Sequence, residues 1–204
     1  MTAVNRTALV TGRGRGLGRE FALGLAKSGM SVAVVARTPE EVSQTAKMIE
    51  GTGGRACSIV ADVCNEAEVA EVVRSVEQRL GAIELLVNAA AITGPIGPTW
   101  ELDTTEWWTC LDVNLRGTLN CCHAVLAGML SRGKGRIINV ASTVGTVPIP
   151  YMSVYAVSKV VIIRFTETLA SELQPHGISV FSIQPGTVRT AMTEKIVESD
   201  AAQH

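Results

Sequence analysis

The sequence predicts an α/β domain: a doubly wound parallel sheet with helices packed on its faces. Three observations predict it. Short β-branched apolar runs alternate with longer stretches of helical periodicity, a glycine-rich turn follows the first run, and the composition can fill a buried core. Of the 204 residues, 47% are hydrophobic and 18% charged, which excludes a disordered polypeptide. That length suits one domain, residues 1–204, which buries roughly 70% of its unfolded surface and needs no disulfide or metal to hold it.

The elements follow in order. Thr7–Val10 is a continuous apolar run, as expected of a strand buried on both faces. Leu17, Phe21 and Leu25 recur at helical spacing, and Gly29 stops that helix before the strand Ser31–Ala36. Thr38-Pro39-Glu40-Glu41 reads as a capping box with proline at the first helical position. Strand Ala56–Val60 comes next. Asn65, followed three residues on by Glu68, is a variant of the same box, and Val69, Val72, Val73, Val76 and Leu80 form the stripe behind it. Gly81 closes this helix before strand Ile83–Val87. Strand Arg136–Val140 precedes a helix striped by Ile162, Phe165, Leu169 and Leu173, and Gly177 ends it before strand Ser179–Ile183. No repeat, low-complexity segment or linker interrupts the pattern.

Charge and side-chain chemistry narrow the function classes. Lys plus Arg number 18 and Asp plus Glu 19, a net charge of -1, so no nucleic-acid or anionic-membrane partner is expected. Five cysteines, an odd count with no C-x-x-C pair, exclude a disulfide framework and a zinc ribbon. Cys121-Cys122 read as packed thiols, and the scattered His123, His176 and His204 make no metal motif. No apolar run reaches the ~18 residues of a membrane helix. Met1–Thr11 lacks the pattern of a secretion signal, so Asn5-Arg6-Thr7 is read as a chance glycosylation match and the expected location is cytoplasmic. Trp100, Trp107 and Trp108 are expected in core or subunit contacts, with a substrate-lid role behind that.

Thr11-Gly12-Arg13-Gly14-Arg15-Gly16-Leu17-Gly18 joins the first strand to the first helix. Glycines at such a turn let backbone amides approach a pyrophosphate, and the helix N-terminus adds partial positive charge. Nucleotide choice is made at the end of the second strand. A carboxylate there bonds the ribose hydroxyls of NAD, but this chain has Ala36 and then Arg37. A guanidinium pairs with a 2′-phosphate in two places, and Arg15 can reach the same group, so the expected cofactor is NADP(H). In the second half, Tyr155 and Lys159 are four residues apart on one helical face. A free tyrosine has a pKa near ~10, too high for efficient proton exchange at neutral pH, and a neighbouring ammonium lowers it.

Taken together, these motifs resemble the short-chain dehydrogenase/reductase family across residues 6 to 190, in the family's order. The glycine turn has the T-G-x-x-x-G-x-G spacing through Thr11, Gly12, Gly16 and Gly18. Asp62-Val63 resembles the pair whose Asp contacts the adenine. Asn88-Ala89-Ala90-Ala91 resembles the Asn-Asn/Ala-Ala-Gly segment shaping the cofactor pocket. Asn114 stands where the family keeps its fourth catalytic residue, and Ser142 precedes Tyr155 by thirteen positions. Pro185-Gly186-Thr187-Val188-Arg189-Thr190 resembles the P-G-x-V-x-T segment against the nicotinamide.

The resemblance implies a Rossmann-type sheet of order 3-2-1-4-5-6 and a set of roles. Tyr155 is the general acid or base. Lys159 lowers its pKa and bonds the nicotinamide ribose. Ser142 bonds the substrate oxygen, where charge develops. Asn114 holds a water that links Lys159 to solvent. The cofactor site is then Gly12, Arg15, Gly16, Leu17, Gly18, Arg37, Asp62, Val63, Asn88, Tyr155, Lys159, Pro185, Gly186, Val188 and Thr190. The implied substrate is a small-molecule ketone, aldehyde or alcohol, with fatty-acyl ketones, steroids, quinones and small alcohols all open, in a mostly apolar pocket of Ile92–Pro95, Val144–Tyr151 and the segment after Thr190. Self-association as a homodimer or homotetramer is expected through the helices around Glu106–Arg132 and Val154–Leu173.

Two departures stand out. Ala91 replaces the usual glycine. The chain ends at His204, where family members continue to a seventh strand, so the sequence is trimmed, naturally short, or covered by another chain at a hydrophobic sixth-strand edge. That shortness keeps a second reading, a non-catalytic nucleotide-binding module or truncated inactive form. A third, an epimerase or dehydratase on the same fold, would need a larger substrate domain.

Overall fold

Six parallel strands form one sheet in the order β3-β2-β1-β4-β5-β6. They are β1 (Thr7–Thr11), β2 (Ser31–Ala36), β3 (Ala56–Val60), β4 (Ile83–Asn88), β5 (Gly135–Val140) and β6 (Ile178–Ile183). The structure is a computed structural model and describes residues 6–12, 16–186, 188, 190 and 192–194. The expected Rossmann-type order is the one observed. The order reverses between β1 and β4, and in open α/β sheets ligands bind at that switch point, outside the carboxyl ends of the strands.

β2 and β3 have the bounds predicted from apolar runs, and the other four strands are one residue longer. The additions at β1 and β4 are polar. Thr11 and Asn88 are register partners that extend the ladder past the apolar run, and hydrophobicity cannot signal them. β1 and β2 are buried along their whole length, so alternate residues serve two cores. Leu9, Ala33, Leu86 and Ile137 face one core, built with α3 (Glu66–Leu80), α5 (Gly117–Arg132) and α6 (Ser153–Leu173). Ala8, Val10, Val32, Val34, Leu85 and Val87 face the other, under α1 (Gly16–Lys27) and α2 (Pro39–Gly51).

The helix signals hold unevenly. The α3 stripe is buried at every predicted position. Asn65 caps α3 by accepting from the amides of Ala67 and Glu68. Glu68 accepts from the Asn65 side chain and from the Asp62 amide, which ties the cap to the turn after β3. On α1 the buried face is Gly18 and Ala22, while Leu17, Phe21 and Leu25 are half-buried, because small residues let this helix lie close to the sheet. Thr38 forms no side-chain cap, so the predicted capping box is absent; Pro39 still starts α2. Gly29, Gly81 and Gly177 all adopt positive φ, as helix stops do.

The tryptophans correct the core expectation. Trp100 and Trp108 are 83% and 63% exposed; the Trp107 indole donates to Ser153 Oγ at 3.3 Å, and Trp108 packs edge-on against Trp107 with ring centroids 5.4 Å apart. Over β5 and β6, on the α1–α2 side, Arg136, Ser179 and Phe181 are exposed, Phe181 by 53%. Among the described residues β6 is a sheet edge.

Candidate active site

The catalytic candidates converge at the carboxyl end of β5. Ser142 follows that strand in extended conformation and opens a 3-10 turn, Thr143–Gly145, by accepting the Val144 amide. The turn lies against α6: a Cβ on Gly145 would stand 2.8 Å from the Lys159 carbonyl carbon. Glycine at 145 is therefore a close-approach requirement, invisible to sequence periodicity, that presses Ser142 toward α6.

Tyr155 and Lys159, one turn apart on α6, are both buried. Burial pushes the Tyr155 phenol up, and a hydrogen bond with Ser142 pulls it partway back. The net direction is upward, set by this desolvation, and not the lowering expected from Lys159. The Lys159 ammonium donates to the Val140 carbonyl at 2.8 Å and lies 5.5 Å from the phenol ring centroid. Burial lowers its own pKa from 10.5 to about 8, with Cys110 opposing.

Asn114 lies in a π-helical turn, Asp112–Arg116, that joins α4 (Thr104–Leu111) to α5. Such turns re-aim side chains within an otherwise continuous helix. Its carboxamide donates to Ile92 O and Ser158 Oγ, both at 2.9 Å, and accepts from the Ile92 amide at 2.9 Å. Both amide hydrogens are thus committed within the protein. Ser158 in turn donates to the Tyr155 carbonyl at 2.7 Å. Asn114 therefore splices the loop after β4 to the helix bearing Tyr155 and Lys159. Sequence reasoning passed over Ser158, which lies within the Tyr155–Lys159 motif and reads as a filler position.

The other end is a cleft of about 200 Å³ at the switch point, lined by Gly12, Val35, Arg37, Thr38, Glu41, Asp62, Val63, Ala90, Ile92 and Val113, among others. Gly12 has φ +117°, and a Cβ there would meet the Ala89 carbonyl at 2.8 Å. Its glycine requirement thus comes from the segment after β4 crossing the first turn. Gly16 begins α1, Thr190 packs over it, and Leu17 and Gly18 follow on the first helical turn. Asn88 donates to Asn139 at 2.9 Å across β4 and β5, so it holds the strand ends together. Asn120 of α5 donates to the Val63 carbonyl at 2.9 Å and supports the Asp62–Val63 turn. Ala91, the departure from glycine, lines the cleft half-buried.

Arg37 is 59% exposed and reaches Asp62 at 3.8 Å, a loose pair in solvent. Its guanidinium can still take a phosphate. Pro185, Gly186 and Val188 precede Thr190, and Thr193 hydrogen-bonds Val188 O and Thr190. Arg15, Thr187 and Arg189 lie outside the described residues. The apolar walls at Val63, Ala90 and Val113 suit a planar base, and the polar ends suit ribose and phosphate, so the residues present fit a dinucleotide.

Burial holds the cysteines in the thiol form, which disfavours a nucleophilic role. Burial raises Cys64 and Cys110 to about 11 and Cys122 to about 12, and it raises Cys57 and Cys121 as well. Among the described residues, no three His, Cys, Asp or Glu groups could hold a metal ion, and no helix is long and apolar enough to cross a membrane.

Comparison with known proteins agrees with this geometry. The family model described as short chain dehydrogenase matches residues 6–201. The chain is 41% identical to the short-chain reductase protein NovJ of Streptomyces niveus over 94% of its own length and 72% of that protein. Among solved structures, it resembles NADPH-containing actinorhodin polyketide ketoreductase with TM-score 0.92 and 37% identity, covering 95% of this chain and 75% of that one. It resembles NAD+-bound xylitol dehydrogenase with TM-score 0.92 and 34% identity, covering 97% and 76%. The chain belongs to the short-chain dehydrogenase family and is an oxidoreductase of CH–OH and C=O groups that uses a nicotinamide dinucleotide.

Proposed function

We propose that the protein is a cytoplasmic, NADP(H)-preferring reductase of ketones or aldehydes, also able to run the reverse alcohol oxidation, with Tyr155 as its general acid and base. The observation that carries this reading is the buried Tyr155–Lys159 pair one turn apart on α6, with the Lys159 ammonium held 5.5 Å from the phenol ring centroid by the Val140 carbonyl at the end of β5.

When bound, the dinucleotide supplies hydride to a carbonyl carbon or takes it from an alcohol carbon. Ser142 donates to the carbonyl oxygen, and Tyr155 gives that oxygen its proton as negative charge builds there. Lys159, held by the Val140 carbonyl, keeps a positive charge beside the phenol and stabilises the phenolate left behind. Asn114 and Ser158 hold the loop and helix in register, so these groups stay aligned.

Arg37, with Arg15, favours the 2′-phosphate; the similar structures include both NADPH-containing and NAD+-bound enzymes, so the choice rests on these guanidinium groups. Val147 and Ile149 are exposed on the loop before Tyr155 and support an apolar substrate. Exposed Leu119 and Leu130 on α5, with Val157 and Val160 on α6, support self-association through these helices.

The test is Tyr155→Phe, assayed for NADPH oxidation with a panel of ketones and for NADPH binding by fluorescence. Loss of an acid/base group costs roughly 10²–10⁴ in kcat, with binding preserved. Activity within tenfold of the parent enzyme rejects the assignment.

A further inference from the structure

A buried polar row beneath the active site takes no part in the chemistry above. It runs from β4 through β5 to α6, and its members Asn88, Asn139 and Thr166 are 4% exposed or less. Asn88 donates to Asn139 Oδ1 and Asn139 donates to Thr166 Oγ1, each at 2.9 Å. Thr166 donates to the Ile162 carbonyl at 2.7 Å. A hydroxyl has one hydrogen, so with that hydrogen committed the Thr166 oxygen acts as the acceptor, and every bond in the row has a fixed direction. The row lies one residue before the parts of the site that the strands carry. Ala89, next to Asn88, crosses Gly12 of the cofactor turn, and Val140, next to Asn139, accepts the Lys159 ammonium at 2.8 Å. Thr166 stands two turns beyond Lys159 on the buried face of α6. Adjacent residues of β5 therefore grip α6 twice, at Lys159 and at Thr166. Apolar contacts such as those of Leu169 and Leu173 also hold this helix to the core, but they are non-directional. A hydrogen bond is short and directional, so it fixes position along the helix axis.

We propose that Thr166, acting through Asn139, is a positioning residue for carbonyl reduction: it sets where α6 stands along β5, and so where Tyr155 and Lys159 meet the substrate. The inference rests on the reading of Tyr155 as general acid and base. Thr166→Val keeps the side-chain shape and removes the acceptor, which frees α6 to shift against β5. A displacement of about 1 Å at reacting groups can cost of the order of a hundredfold in rate, so kcat is expected to fall roughly tenfold to a hundredfold. The cleft at the switch point has no α6 residue in its lining, so dinucleotide affinity should change little.

The experiment measures three quantities: kcat for NADPH-driven reduction of acetoacetate esters, cyclic ketones and quinones, NADPH binding by fluorescence, and a thermal melt. The proteins are the parent, Thr166→Val, Thr166→Ala, Thr166→Ser and Thr7→Val. Thr7 controls for stability alone, because its buried hydroxyl donates to the Leu80 carbonyl at 2.9 Å at the opposite end of β1 from the site. The expected result is a loss of roughly tenfold to a hundredfold in kcat for the valine and alanine variants at position 166, with NADPH affinity within about threefold. Thr166→Ser should return kcat to within about threefold of the parent, and Thr7→Val should lower Tm comparably while keeping kcat. Unchanged kcat in Thr166→Val overturns the proposal, as does an equal loss in Thr7→Val or no rescue by serine. Thr166→Ala carries the comparison if the valine variant does not fold; if neither folds, the row serves folding and the proposal is overturned. Tyr155→Phe is assayed alongside. Activity kept there defeats the acid assignment beneath the proposal, whereas activity lost there but kept in Thr166→Val defeats the proposal alone. A parent that reduces none of these ketones overturns both.

Discussion

Removing the Lys159 charge should reshape the pH dependence of stability in a direction fixed by burial. The ammonium is 4% exposed, and its pKa is lowered from 10.5 to about 8. Between those values the unfolded chain holds one more proton than the folded one, so unfolding free energy rises with pH across the window. Below pH 8 both states are protonated and the burial penalty is constant. Above 10.5 both are neutral and it is gone. At about 1.36 kcal/mol per pKa unit, the full window is worth about 3 kcal/mol. Lys159→Met keeps the volume and removes the titration. Urea unfolding of both proteins at pH 7, 8, 9 and 10 gives the difference in stability, in which most other titrating groups cancel. The parent protein should gain on the variant by roughly 2–3 kcal/mol between pH 7 and 10. A flat difference would refute the claim that this amine titrates in a desolvated site. A difference of opposite slope would mean that its charge is stabilised on folding.

Two further outcomes follow from the site geometry. Ser158→Ala should strand one Asn114 amide hydrogen in the core, costing about 1–3 kcal/mol by urea unfolding. A double-mutant cycle with Asn114→Ala should show coupling above about 0.5 kcal/mol, and strict additivity would dissolve the splice between the β4 loop and α6. Gly12→Ala places a methyl 2.8 Å from the Ala89 carbonyl at φ +117° and should cost about 2–4 kcal/mol, seen as a fall in Tm of roughly 5–15 °C. An unchanged melt would show that the first turn yields freely.

The fold was legible where burial imposes a period. Continuous apolar runs give β1 to β6 within a residue, and the valine stripe gives α3 at every position. The catalytic candidates were legible too, because Tyr155 and Lys159 are neighbours along one helix and Ser142 ends a strand. Tertiary partners were not. Nothing local marks Gly145 as the contact between the Ser142 turn and Lys159, or Asn120 as the support of Val63. For the tryptophans aromatic character suggested a core or a subunit contact, and the exposure of Trp100 and Trp108 overturns the core half of that expectation.

By itself, the order of residues determined which segments become strands and helices, because propensity, capping and apolar period act over a few neighbours. It also marked Tyr155, Lys159 and Ser142 as the candidate acid–base group, cation and hydrogen-bond donor. Only the tertiary structure decided how these groups behave. It joins Asn114 to Ser158 across 44 positions, lets burial raise the Tyr155 phenol, and sets Glu41 in the wall of the switch-point cleft. Desolvation and close approach depend on what folds against a residue, and that is set by segments far away in the chain.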